Sequence, residues 1–130
     1  MFATMIRKNI ISIIVAITIL VLSLSDSDKF ESIGISLFPH ADKLVHLLMY
    51  GTLMLTLLIS NRKWISSGVI NYIILLLIAF SYGIIIELLQ KYLTSDRSGE
   101  LLDALFNLVG IVLAILAWLL VTKIRKSSLR

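Results

Sequence analysis

The chain has 130 residues, is 58% hydrophobic, shows a mean hydropathy of +0.99 and carries a formal charge of +4. That apolar fraction exceeds globular usage and places residues 1–130 in the membrane class as a single domain. With no cysteine, disulfides, thiolate catalysis and cysteine metal sites are excluded.

The net charge is no sign of nucleic-acid binding once it is partitioned along the chain. Arg7, Lys8, Arg62, Lys63, Lys123, Arg125, Lys126 and Arg130 lie in three stretches without an acid, while all eight acids lie in two other stretches. Lys and Arg beside a span favour the cytoplasmic side, so the pattern predicts four spans with both termini and the middle loop inside. The acid-bearing stretches then share the outer face. The basic inner segments are also expected to attract anionic inner-leaflet lipid.

The predicted first span runs from about Asn9 to Leu24. A cleaved signal peptide is the alternative, with Ser23-Leu24-Ser25 as small residues for cleavage, but the apolar run is long for one and cleavage would leave three spans. Residues 25–41 mix Phe30, Ile33, Ile35, Leu37 and Phe38 with polar residues, as expected of a segment lying on the membrane interface. Pro39 precedes the second span, about His40–Ser60, which Arg62 and Lys63 close on the inside. The third span is about Val69–Tyr92 and the fourth about Glu100–Thr122. The short turn between them, residues 94–99, makes these two antiparallel neighbours. Trp64, Tyr72 and Trp118 are expected near the inner interface, and Phe30, Phe38 and Tyr92 near the outer one. The expected fold is thus an all-α, integral membrane four-helix bundle with cytoplasmic termini.

Polar residues interrupt three of the spans near their outer ends. Asp42, His46 and Tyr50 are four apart, with Lys43 beside them; Glu87 and Gln90 are three apart; Asp103 and Asn107 are four apart, with Gly110 following. Ionisable groups inside a span cost about 2.5–3.5 kcal/mol each at the bilayer centre, so such groups face the bundle interior and find partners. Asp42 and Asp103 are favoured as anions by nearby helix N-termini; Glu87, near a C-terminus, most needs Arg97, Lys43 or a proton.

Asp42-Lys43-x-x-His46-x-x-x-Tyr50, Glu87-x-x-Gln90, then Arg97 and Asp103-x-x-x-Asn107-x-x-Gly110, together resemble the VanZ-like family of small bacterial membrane proteins. The resemblance covers roughly residues 39–110; the first span and C-terminal tail carry no family signature. It implies a multi-pass protein of the bacterial cytoplasmic membrane acting at the cell envelope, in a family whose named member is associated with resistance to the glycopeptide teicoplanin. It implies no settled reaction. One departure lies in the turn, where Glu100 follows Arg97 closely and would draw it from the bundle.

Three functional classes compete. The favoured one is an outer-leaflet pocket for an amphiphilic ligand, either a membrane lipid or a lipid-linked cell-wall precursor. Lys43 and Arg97 would grip its phosphate or carboxylate, Tyr50, Gln90 and Asn107 would orient it, and Asp42, Glu87 and Asp103 would balance charge. The second is a membrane-surface hydrolase or transferase whose candidate catalytic residues are His46, Asp42 and Glu87, with Asp42 orienting the imidazole; no nucleophile is evident, and Ser81 has no sequence link to His46. The third is an inert scaffold in which the polar groups only join helices, at about 0.6 kcal/mol per bond. A metal held by His46 and the carboxylates is disfavoured by the single histidine and competing cations, so no metal or cofactor is expected. The sequence gives no oligomeric state. Gly51, Gly83 and Gly110 are read as sites of close helix approach.

Overall fold

The computed structural model describes residues 6–25, 41–93 and 101–128, and these are all-helical. Its elements are α1 (Ile10–Leu24), α2 (Ala41–Ser60), α3 (Arg62–Ile65), α4 (Val69–Leu93) and α5 (Leu101–Ser128). The interfacial segment, Pro39, His40 and the residue 94–99 turn with Arg97 lie outside the described residues.

Three helices, α2, α4 and α5, are long and apolar enough to cross a membrane. In α1, 15 apolar residues span about 22 Å at roughly 1.5 Å per residue, short of the roughly 30 Å hydrocarbon core. The helices are helices because lipid offers no partner for a peptide group, so each apolar run must satisfy its own backbone bonds, even in the β-branched stretches of α1 and α4. Large apolar residues such as Ile70, Leu77, Ile85, Leu116 and Leu120 are at least half exposed around the outside. A surface this apolar is a lipid-facing one.

The interior stripes follow helical spacing. On α2 the buried positions are Lys43, His46, Tyr50, Leu53, Met54 and Leu58. On α4 they include Leu75, Ala79, Gly83, Ile86, Glu87 and Gln90. On α5, Asp103, Asn107, Ile111 and Ala114 face inward. The tightest pairing is α2 with α5. Gly51 and Gly110 meet there, and a Cβ on Gly110 would lie 3.1 Å from the Gly51 nitrogen and overlap the Leu47 carbonyl oxygen.

Helix α1 packs on α2 and α4 and is tied at both ends. Asn61 Nδ2 donates to Asn9 Oδ1 (2.8 Å), and Lys8 Nζ to Asn61 Oδ1 (3.2 Å). Tyr82 Oη donates to the Ala16 carbonyl (2.6 Å), and Gln90 Nε2 to the Ser23 carbonyl (2.9 Å). The last of these satisfies one of the four carbonyls that a helix C-terminus leaves open.

Two boundaries differ from the sequence expectation. Helix α5 continues to Ser128, six residues past Thr122, because helicity does not end where hydropathy does and Lys and Arg are good helix formers. The middle loop contains the single turn α3, whose Trp64 carbonyl accepts from Asn71 Nδ2 at 2.8 Å.

Candidate functional site

The site lies where the first turns of α2 and α5 meet the last turns of α4. His46 is five residues into α2, Glu87 six from the end of α4, and Asn107 six into α5. At about 1.5 Å per residue these are depths of roughly 7–9 Å from the same end of the bundle. Antiparallel packing of α4 and α5 brings the three side chains to one level.

At the centre is Asn107, fully buried. Its Nδ2 donates to Glu87 Oε1 at 3.1 Å, and its Oδ1 lies 3.1 Å from His46 Nδ1. His46 Nδ1 is also 3.4 Å from Glu87 Oε1. Imidazole, amide and carboxylate thus form a closed triangle drawn from three helices. Gly83 makes room for it: a Cβ there would meet the Tyr50 ring at 3.1 Å and Asn107 Nδ2 at 3.2 Å.

Lys43 lies nearer the helix ends. Its ammonium bonds Asp42 Oδ2 at 3.0 Å and stands 3.6 Å from Asp103 Oδ1. Lys43 and Asp103 are buried, whereas the Asp42 side chain is 56% exposed. A buried cation must be paired, and here it bridges the starts of α2 and α5.

The structure therefore brings together Lys43, His46, Glu87, Asp103 and Asn107. Asp42 does not belong to the His46 stripe: it turns outward, and His46 Nδ1 is oriented by Asn107 and Glu87 instead. Tyr50 is fully buried with its ring 6.4 Å from that of Tyr82, and its hydroxyl has no hydrogen-bond partner. Gln90 is buried and spends one donor on α1. Arg97 lies outside the described residues. Ser81 is exposed and points away from the cluster. Tyr82 is the residue that sequence reasoning passed over; a polar-tipped aromatic next to Gly83 was the available signal. Among the described residues no group of three or more acidic or histidine side chains is placed to hold a metal ion.

Apolar helices with lipid-facing flanks, enclosing a buried polar cluster at one end, define a small multi-pass helical membrane protein. The chain belongs to the VanZ/LLP1 family, whose model matches residues 3–122. No curated protein and no solved structure matches it.

Proposed function

We propose that the cluster is the floor of an outer-leaflet pocket for the head group of an amphiphilic ligand, a membrane lipid or lipid-linked cell-wall precursor. The observation behind this reading is the convergence of Lys43, His46, Glu87, Asp103 and Asn107 from three helices at one depth. Joining helices takes far less charge than this, and charge inside a span usually serves function. The basic stretches put this end of a four-span bundle outside the bacterial cytoplasmic membrane, with the termini inside. Family membership adds a further proposal, a contribution to teicoplanin-type glycopeptide resistance.

Native mass spectrometry of the detergent-solubilised protein tests the pocket. A lipid or precursor that co-purifies with the wild type and is lost from folded Lys43→Met supports it; a ligand-free wild type rejects it. For resistance, cells with and without the chain should differ in teicoplanin susceptibility, and equal susceptibility removes that clause. The membrane-surface hydrolase or transferase is favoured by one observation, the 3.4 Å approach of His46 to Glu87, which would stabilise an imidazolium. An enzyme would lose turnover in His46→Gln with ligand binding intact.

A further inference from the structure

The triangle at Asn107 has a direction built into it. A carboxylate only accepts hydrogen bonds, so the amide group facing Glu87 must be the Nδ2 donor. The other face of the same amide, Oδ1, only accepts, and it faces His46 Nδ1. His46 must then carry its proton on Nδ1, with Glu87 Oε1 reinforcing that choice from 3.4 Å. Nδ1 and Nε2 lie on opposite flanks of the ring, so Nε2 points away from Asn107, and it makes no hydrogen bond with any described residue.

We propose that Asn107 holds neutral His46 as the Nδ1–H tautomer and thereby makes Nε2 a hydrogen-bond acceptor for a hydroxyl-bearing lipid head group. The second half rests on the pocket reading above and narrows its ligand. A lone pair on Nε2 requires a donor. The surrounding charge points the same way: Glu87 and Asp103 face the cluster from α4 and α5, and Lys43 is already engaged by Asp42 and close to Asp103. An anionic group entering beside these carboxylates would be repelled, whereas a neutral hydroxyl of a glycerol or sugar head group donates to Nε2 without adding charge. Asn107 is thus a positioning residue, and His46 the residue that touches ligand.

Nitrogen-15 NMR of the histidine-labelled full chain tests this, with His40→Gln removing the other histidine and the protein placed in phosphatidylcholine nanodiscs, whose head groups contain no donor. At a pH well above the ordinary imidazole range, Nδ1 should give the protonated and Nε2 the unprotonated resonance. Adding dioleoylglycerol, a neutral lipid with one hydroxyl, should move the Nε2 resonance and leave Nδ1 protonated. A folded Asn107→Leu variant should shift the population toward Nε2–H. The Nε2–H tautomer in wild-type protein overturns the proposal whatever lipid is present. The Nδ1–H tautomer with an Nε2 resonance indifferent to dioleoylglycerol overturns the hydroxyl ligand. The pocket reading is judged separately, by whether any amphiphile co-purifies in native mass spectrometry.

Discussion

Gly110 packs so closely on Leu47 that a methyl group on it would occupy the space of the Leu47 carbonyl oxygen. The obstructing atoms are backbone, so no rotamer change relieves the overlap and α2 and α5 must move apart. Overpacking of this kind costs about 1–3 kcal/mol, and Gly110→Ala should fall at or above that range. Gly68→Ala is the control, since a Cβ there meets nothing within 4 Å. Thermal unfolding in detergent should show a clear drop for Gly110→Ala and little change for Gly68→Ala.

Two tyrosines on facing helices should respond in opposite ways. Tyr50 buries a hydroxyl without a hydrogen-bond partner, so Tyr50→Phe should leave the melting temperature unchanged or raise it. Tyr82 donates to the Ala16 carbonyl at 2.6 Å, and Tyr82→Phe should cost about 0.5–1.5 kcal/mol. Paired melting curves decide between them. A stable Tyr50→Phe protein that binds ligand more weakly would place that hydroxyl against the ligand.

Lys43 and Asp103 should be coupled. Removing one partner of a buried pair leaves an uncompensated charge and costs about 3–5 kcal/mol, while replacing both is far milder. Lys43→Met alone should therefore lose more stability than Lys43→Met combined with Asp103→Asn. Additive effects in the double-mutant cycle would show that the 3.6 Å approach carries no energy.

Breaking the triangle should depend on which corner is altered. Asn107→Leu strips both His46 and Glu87 of a partner, at about 1–3 kcal/mol for each buried group left unsatisfied. Glu87→Gln keeps an acceptor for Asn107 and should be milder. The order of melting temperatures checks this; a Glu87→Gln protein less stable than Asn107→Leu would mean that the charge itself holds the site together.

The proposed orientation is open to chemical labelling, because single cysteines enter a cysteine-free chain. Cysteines at Ser27 and Ser98 should react with an impermeant maleimide on intact cells, whereas those at Ser66 and Ser127 should not. The reverse pattern would place the polar cluster at the inner face.

The long apolar runs and the basic stretches made α2, α4 and α5 legible in the sequence to within a few residues, and so were the identities of the clustered residues. The phase of α2 was not. Spacing by four selects Asp42, His46 and Tyr50, but the buried line runs through Lys43 instead. Asp42 sits about 100° around the helix from Lys43, and at a helix end either one could face inward. The choice is made by where α5 lies, which the Gly51–Gly110 contact fixes, and that contact joins residues 59 apart in the chain. For the same reason, spacing along one helix could not show that Asn107, from another helix, orients His46.

Helix α1 is gripped largely through its main chain: Tyr82 and Gln90 both donate to its carbonyl oxygens. Carbonyls are the same whatever side chains they carry, so the rest of the molecule reads α1 as a rod of a given length with slim residues at its contacts, such as Ser12 and Ser23. Its sequence is therefore free to drift or be exchanged for another apolar helix, while α2, α4 and α5 are bound to one another by side-chain identity. A chimera carrying a foreign first helix with small residues at those two positions should still assemble, which makes α1 the natural place to attach a label or a fusion partner without disturbing the polar cluster.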